Sequence, residues 1–170
     1  MFAGTLVVMG VSGTGKTEVA SRLATELGCA FIEADRLHSP GSVAKMARGV
    51  ELTDADRWPW LAAVAAAATA EPRQAVVACS ALRRAYRDFL RERLGAIRFV
   101  FLDGPPAVIR GRLEVRQGHF FKAEMLDGQL SVLERPEADE DFVEADIRHS
   151  PSELVRIVVR ALSDASMAPR

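Results

Sequence analysis

Residues 5–17 read Thr-Leu-Val-Val-Met-Gly-Val-Ser-Gly-Thr-Gly-Lys-Thr. The first five are apolar or β-branched, which predicts a short buried strand over Thr5–Met9. Apolar residues at helical spacing follow from Lys16 to Leu27, and Gly28 stands where a helix C-cap is expected. Between strand and helix lies the pattern Gly-x4-Gly-Lys-Thr, whose position in a strand-loop-helix unit predicts a phosphate-binding loop, or P-loop.

This loop has the chemistry of a nucleotide-phosphate cradle. Glycines let successive backbone N–H groups turn toward one anion, and the helix N-terminus adds positive potential. Lys16 is placed to reach the β- and γ-phosphates of ATP, and the Thr17 hydroxyl to bind Mg²⁺. The predicted ATP-binding residues are Gly10, Val11, Ser12, Gly13, Thr14, Gly15, Lys16 and Thr17.

Strands and helices alternate along the rest of the 170 residues, which predicts one α/β domain over 1–170 with a parallel sheet flanked by helices. The predicted strands are 5–9, 30–33, 74–79, 97–102 and 142–147. The predicted helices are 16–27, 39–49, 57–70, 82–94, 105–116, 123–133 and one from Ser150 or Ser152 to about Leu162. Asp56 is the expected cap of the third, with Pro59 in its first turn.

The net charge and the cysteines indicate which partners and which cellular compartment to expect. The formal net charge is −1, which gives no electrostatic reason to expect a nucleic-acid or membrane partner. Cys29 and Cys79 form no metal motif, and we expect both to be free thiols in a cytoplasmic protein.

The second predicted strand leads into Asp35. Because parallel strands deliver their carboxyl ends to one crevice, Asp35 is a candidate base for an attacking hydroxyl, the other interpretations being a helix cap or a solvated acid. Glu33 is a weaker candidate for a water-mediated Mg²⁺ contact. The third strand lacks the terminal Asp of a Walker B motif, and Ser80 after it is the candidate for binding Mg²⁺ through water.

Basic side chains follow on the acceptor side and suit an anionic small molecule, since arginine grips carboxylates bidentately. These residues are Lys45, Arg48, Arg57, Arg83 and Arg87. The alternative for Arg83 and Arg87, spaced i and i+4, is a solvated helix face.

The segment after the fifth predicted helix, about 116–136, is interpreted as a lid. Arg112, near the end of that helix, and Arg116 are the candidate catalytic residues here, because arginines delivered by a closing lid stabilise the transferring phosphoryl, and closure excludes water. The alternative is a basic helix end that complements the macrodipole. By position only, Arg110 and the loop 146–151 are expected near adenine.

Several longer blocks resemble the bacterial gluconokinases, small shikimate-kinase-like enzymes, over nearly the whole chain. These blocks are Gly10–Thr17, Asp35 with His38, Lys45–Gly49, Asp54–Leu61, Cys79–Arg83, Tyr86–Asp88 and Arg112–Phe120. The resemblance implies transfer of the γ-phosphoryl of ATP to the 6-hydroxyl of D-gluconate. It also implies a nucleoside-monophosphate-kinase-like core with a mobile lid, and a homodimer.

Gluconate is an anionic polyol, and the resemblance distributes its contacts over several side chains. Its carboxylate suits Arg83, Arg87, Lys45 or His38, and its hydroxyls suit Asp35, His119 and Gln129. The chain departs from the usual family pattern at Ser39, Ser42, Phe121, Lys122, Gly128 and Leu130.

Two other functions stay open from the sequence. One is a same-fold kinase for another small anion, such as shikimate or another aldonic acid, although the Trp58–Trp60 block argues against shikimate. The other is a nucleotide-binding regulatory protein without turnover. Lys16, Thr17 and Asp35 argue against the latter.

Overall fold

The computed structural model describes residues 4–115 and 123–166, and five parallel strands form one sheet within them. The strands are β1 (Thr5–Met9), β2 (Ala30–Glu33), β3 (Ala75–Ala78), β4 (Ile97–Asp103) and β5 (Phe142–Asp146). Their order across the sheet is β2-β3-β1-β4-β5, with every neighbouring pair parallel. The predicted α/β fold with a parallel sheet is confirmed.

Helices connect these strands and cover both faces of the sheet. They are α1 (Lys16–Leu27), α2 (Pro40–Ala47), α3 (Asp54–Ala70), α4 (Arg84–Leu94), α5 (Pro106–Val115), α6 (Ala123–Val132) and α7 (Pro151–Ser166). A short 3₁₀ helix, Ala34–Leu37, follows β2. No helix in the described ranges is both long and apolar enough to cross a membrane.

The strand β1 shows why the sheet is covered on both sides. Leu6 and Val8 belong to one buried cluster, with residues of α1, α5 and α7. Val7 and Met9 belong to a second cluster, with residues of α3 and α4. Successive strand residues point to opposite faces, so a strand that is apolar at every position must be buried on both.

The start of α3 differs from the prediction. The helix begins at Asp54, because Thr53 is its N-cap and Asp56 completes a capping box by accepting from the Thr53 backbone N–H at 2.9 Å. The prediction that Asp56 caps a helix from Arg57 is therefore wrong, and Pro59 lies inside the helix rather than in its first turn.

The start of α4 also shifts. The prediction was residue 82, but Ala81 has φ 43° and Arg83 is extended, so the helix begins at Arg84. This leaves an irregular turn, Ser80–Arg83, between β3 and α4. Of the predicted lid, residues 116–122 lie outside the described residues, and 123–136 comprise α6 and the chain that follows it.

Gly104, just after β4, provides a test of packing at the carboxyl edge of the sheet. A β-carbon there would lie 2.4 Å from Cγ1 of Ile147, whose side chain is fully buried. We expect Gly104→Ala to lower the free energy of unfolding by about 1–3 kcal/mol, as overpacked sites do, measured by urea denaturation. The control is Gly111→Ala in α5, where an added β-carbon has no atom within 4 Å; there we expect no loss of stability. Equal effects of the two substitutions would contradict this account.

Candidate active site

The P-loop depends on two close approaches of its backbone. A β-carbon on Gly10 would lie 2.7 Å from the Leu102 carbonyl oxygen, and one on Gly13 would lie 2.8 Å from Cγ of Leu113. Both glycines also have positive φ, 144° and 85°. The loop therefore fits between β4 and α5 only without side chains at these positions, and this places it at the carboxyl edge of the sheet.

Lys16 and Thr17 begin α1 directly after the loop. Lys16 Nζ donates to the Val11 carbonyl oxygen at 3.0 Å, so the ammonium lies folded over the loop. The Thr17 hydroxyl donates to Oε2 of Glu33 at 2.6 Å. This bond joins the start of α1 to the end of β2, two strands away in the sheet, and brings a carboxylate to the hydroxyl predicted to bind the metal.

Asp35 lies in the 3₁₀ helix that follows β2, and its side chain is 76% exposed. His38 lies behind it, with Nε2 4.0 Å from Oδ1 of Asp35. The His38 ring stacks on Trp60 with centroids 4.3 Å apart, and the Trp60 indole donates to the Ala34 carbonyl oxygen at 2.7 Å. This arrangement fixes the short helix that carries the candidate base.

His38 is an acceptor candidate that the structure buries. Burial lowers its pKa, while the Asp35 carboxylate opposes this shift and Arg57 adds to it. Nδ1 of His38 is buried without a hydrogen-bond partner among the described residues. With a side chain only 5% exposed, His38 is better placed to support Asp35 than to grip an anion.

Lys45, also assigned to the acceptor, is engaged within the protein. Its ammonium contacts both oxygens of Asp56, at 2.7 and 2.8 Å. The bond from Lys45, with the capping contacts of Thr53, lowers the pKa of Asp56 to about 2. Lys45 thus ties α2 to the start of α3, whereas Arg48 at the end of α2 is exposed.

Arg83 belongs to a polar cluster that sequence reasoning did not assemble. Its Nη1 lies 3.5 Å from Oδ2 of Asp54, and Asp54 also accepts from the Tyr86 hydroxyl. Arg57 Nη1 donates to the same hydroxyl at 3.4 Å. Two guanidinium groups share one carboxylate here, which leaves net positive charge on the acceptor side.

Tyr86 holds this cluster together as a neutral side chain. Burial raises its pKa, and the hydrogen bond to Asp54 adds to the shift. Asp54 and Arg57 are spaced i, i+3 on α3, but no spacing in the sequence links them to Tyr86, because that proximity arises where α3 packs against α4.

Arg87 does not reach the acceptor side. Its side chain is fully buried and forms an ion pair with Glu140, Nε to Oε2 at 2.6 Å. The i, i+4 spacing from Arg83 is therefore misleading, because α4 begins at Arg84 and leaves Arg83 in the turn before it. The assignment of Arg87 to substrate binding is withdrawn.

On the other side of the P-loop lies an open cavity of about 540 Å³. It is lined by Gly13, Gly15, Val108, Gly111, Arg112 and Val115. Arg112 donates to the carbonyl oxygens of Ile147 at 2.5 Å and Thr14 at 3.5 Å, so it bridges the P-loop and the chain after β5. The volume lies within the usual range for small-molecule sites.

The remaining candidates lie around α6. Arg110 pairs with Asp127 at 2.7 Å, which joins α5 to α6. The Gln129 side-chain oxygen accepts from the Ser12 backbone N–H of the P-loop at 2.6 Å. Arg116 and His119, with the family departures at Phe121 and Lys122, lie outside the described residues.

Ser80 completes the set at the end of β3. Its carbonyl oxygen accepts from the Gly10 backbone N–H at 3.3 Å. The candidate base, the P-loop and the Ser80 turn therefore all lie at the carboxyl edge of the sheet. This edge is where open α/β sheets bind their ligands.

Comparisons with known proteins agree with this geometry. A family model described as an AAA domain matches residues 6–136. The thermoresistant gluconokinase of Escherichia coli K12 is 47% identical over 140 residues, covering 81% of this chain and 80% of that protein. The gluconokinase of Gluconobacter oxydans 621H is 45% identical over 158 residues, covering 91% and 89%.

A solved structure extends the agreement to the whole fold. A gluconokinase from Sinorhizobium meliloti 1021 superposes with a TM-score of 0.89 at 44% identity, covering 96% of this chain and 94% of that one. Since relatives of this identity match most of the chain, the protein belongs to the gluconokinase family.

Proposed function

We propose that this chain transfers the γ-phosphoryl group of ATP to the 6-hydroxyl of D-gluconate, giving 6-phospho-D-gluconate and ADP. The observation that supports it most directly is the hydrogen bond between Thr17 and Glu33. It joins the P-loop helix to the end of β2, two residues before Asp35. Membership of the gluconokinase family supplies the identity of the acceptor.

In this reaction, Asp35 acts on the acceptor hydroxyl and the P-loop holds the phosphates of ATP, both at the carboxyl edge of the sheet. The oxygen of the acceptor hydroxyl forms a bond to the γ-phosphorus, the bond from that phosphorus to the bridging oxygen of ADP breaks, and the proton passes to Asp35. The P-loop backbone and Lys16 hold the phosphates. Catalysis then comes from positioning and from charge stabilisation rather than from a covalent intermediate.

The residues present suit Mg²⁺. The Thr17 hydroxyl and the Glu33 carboxylate are hard oxygen donors, which Mg²⁺ prefers, and Ser80 follows β3 at the same edge. No group of three or more His, Cys, Asp or Glu among the described residues could hold a metal alone. ATP phosphates and water would supply the other ligands, and Mg²⁺ bound there would neutralise phosphate charge.

For the acceptor carboxylate, Arg83 with Arg57 is the better-placed pair. Their shared partner, Asp54, is 48% exposed, so an incoming carboxylate could compete for both guanidinium groups. Lys45 is occupied by Asp56, and His38 supports Asp35. Gln129 stays a predicted acceptor contact, and its bond to the Ser12 backbone N–H of the P-loop supports this prediction.

Several assignments stay predictions. They include Arg112 and Arg116 as arginines that stabilise the transferring phosphoryl, His119 and Arg48 as acceptor contacts, and Arg110 as an ATP contact. The single domain over 1–170, the lid over 116–136, the homodimer and the cytoplasmic location stay predictions as well.

The proposed reaction is tested by an acceptor profile. ADP release is measured with a coupled assay over gluconate, shikimate, related sugar acids and nucleoside monophosphates. We expect gluconate to give the highest kcat/KM. Turnover of another acceptor with none of gluconate would overturn the assignment, and tight ATP binding with no turnover would indicate a regulatory protein.

Asp35→Asn tests the base. We expect kcat for gluconate to fall by about 10²–10⁴-fold, because the variant loses the proton acceptor, while ATP affinity measured by calorimetry is retained. The matched control is Asp164→Asn, since Asp164 is exposed on α7. Turnover in Asp35→Asn equal to that in the control would remove Asp35 from this role.

We infer that the cavity beside the P-loop holds the base of the nucleotide, and Gly111→Phe tests this inference. An added β-carbon at Gly111 has open space around it, so a phenyl group can extend into the cavity. We expect the KM for ATP to rise about tenfold or more, equivalent to about 1.4 kcal/mol, with the KM for gluconate unchanged. Gly111→Ala, which leaves the cavity open, is the control. An unchanged KM for ATP in Gly111→Phe would place the base elsewhere.

A further inference from the structure

The turn Ser80–Arg83 contains a backbone conformation that its sequence disfavours. Ala81 has φ 43° and is fully buried, and it is the one non-glycine residue with positive φ in the described ranges. A β-carbon makes this region unfavourable, so the conformation persists only where surrounding contacts enforce it.

Ser80 and Arg83, which lie before and after Ala81 in this turn, both contact the candidate active site. The Ser80 carbonyl oxygen accepts from Gly10, the first residue of the P-loop, at 3.3 Å. Arg83 extends toward Asp54 in the positive cluster on the acceptor side. The shape of this turn therefore sets the distance between the P-loop and the guanidinium group of Arg83.

Arg87 supplies the contacts that enforce the turn. Its Nη1 donates to the carbonyl oxygens of Ala81 at 3.2 Å, Leu82 at 3.4 Å and Glu134 at 2.9 Å. These carbonyls belong to the two chain segments that meet at the turn. A planar guanidinium can serve several acceptors at fixed angles, which a lysine ammonium on a flexible stem cannot.

Glu140 orients Arg87 for this task. Its two oxygens accept from Nε at 2.6 Å and from Nη2 at 2.8 Å, and its side chain is fully buried. Burial raises the pKa of Glu140, but the bond from Arg87, the bond from the Glu137 backbone and the positive charges of Arg87 and Arg84 together outweigh burial and leave the pKa below its ordinary value. A buried ion pair is weak support for stability by itself, because desolvation opposes it, so a role in geometry accounts better for it.

A second set of bonds joins the turn to the chain that follows α6. The Glu134 backbone N–H donates to the Leu82 carbonyl oxygen at 2.8 Å, and Oε2 of Glu134 accepts from the Arg84 backbone N–H at 2.6 Å. The helix α6 carries Gln129 to Ser12. The turn Ser80–Arg83 and the chain after α6, which lie on either side of the candidate site, are thus joined at Glu134.

We propose that Arg87 and Glu140 are positioning residues for phosphoryl transfer. They hold Ala81 in its unfavourable conformation and so place Arg83 relative to the P-loop. This inference rests on the proposed function, in which Arg83 binds the acceptor carboxylate. Neither residue touches a substrate, and both act through the turn.

Arg87→Lys tests the proposal, because lysine keeps the positive charge and lacks the planar guanidinium group with its several donors. We expect kcat/KM for gluconate, per folded molecule, to fall on the order of 10- to 100-fold, since small displacements of a binding group have effects of this size. The KM for ATP should change less than about twofold. Glu140→Gln, which keeps the shape of the side chain, should give a smaller change in the same direction.

Arg98→Lys is the matched control. Arg98 is also mostly buried, and its Nε forms an ion pair with Asp141, the residue after Glu140, at 2.6 Å. It lies near the start of β4, at the end of that strand away from the carboxyl edge of the sheet. We expect this variant to lose thermal stability while its kinetic constants per folded molecule stay at wild-type values.

Ala81→Gly distinguishes positioning of Arg83 from a purely structural role of Arg87, because only positioning predicts that it restores kcat/KM. Glycine adopts positive φ without a β-carbon penalty, so the turn needs less support. In the Arg87→Lys background we expect Ala81→Gly to restore at least part of the lost kcat/KM. Alone, it should leave kcat/KM near wild type, so that the two substitutions are not additive.

The outcomes separate this proposal from the proposed function. If wild type phosphorylates gluconate and Arg87→Lys loses only thermal stability, the positioning role is overturned and the reaction stands. If wild type phosphorylates no acceptor, both fall. If wild type prefers another acceptor, the same variants are measured with that acceptor. Should Arg87→Lys not fold, Glu140→Gln with and without Ala81→Gly decides: unchanged kinetic constants in both overturn the proposal.

Discussion

Parallel pairing of the strands is the constraint on which the candidate site depends. Because β1 pairs with both β3 and β4, and β2 pairs with β3, the carboxyl ends of these strands lie at one edge. The hydrogen bond between Thr17 and Glu33 then crosses that edge. Residues far apart in sequence contribute to one site because each lies at, or soon after, the carboxyl end of a strand.

The local sequence pattern was sufficient to predict the type and approximate position of most helices and strands. The bounds of β1, α1 and β2 agree with the prediction because apolar spacing and glycine positions are properties of a few neighbouring residues. The start of α3 was missed because Thr53 and Asp56 form a reciprocal cap, and the aspartate at the third helical position was taken for the cap itself. Thr53 and Asp56 are both local signals, and the error was only in which of the two was taken as the N-cap.

Contacts between residues that are distant in the sequence could not be predicted from it. Arg87 and Glu140 lie 53 positions apart, and nothing in either neighbourhood marks them as partners. An arginine on an amphipathic helix is ordinarily exposed, so burial of this one is a consequence of tertiary packing. The contacts of Tyr86 with Asp54 and Arg57 have the same origin. Predicting the donor side was easier, because a phosphate cradle is contiguous, whereas an acceptor pocket is assembled from separate elements.

The stacking of His38 on Trp60 has an optical consequence. The chain has two tryptophans, and both lie near the start of α3 on the acceptor side. Trp60 contacts His38 and the Ala34 carbonyl beside Asp35, and Trp58 packs against Tyr86 and Phe89. Neither lines the cavity beside the P-loop. The intrinsic tryptophan fluorescence of this protein therefore originates wholly in the half of the molecule assigned to the acceptor, without any introduced dye.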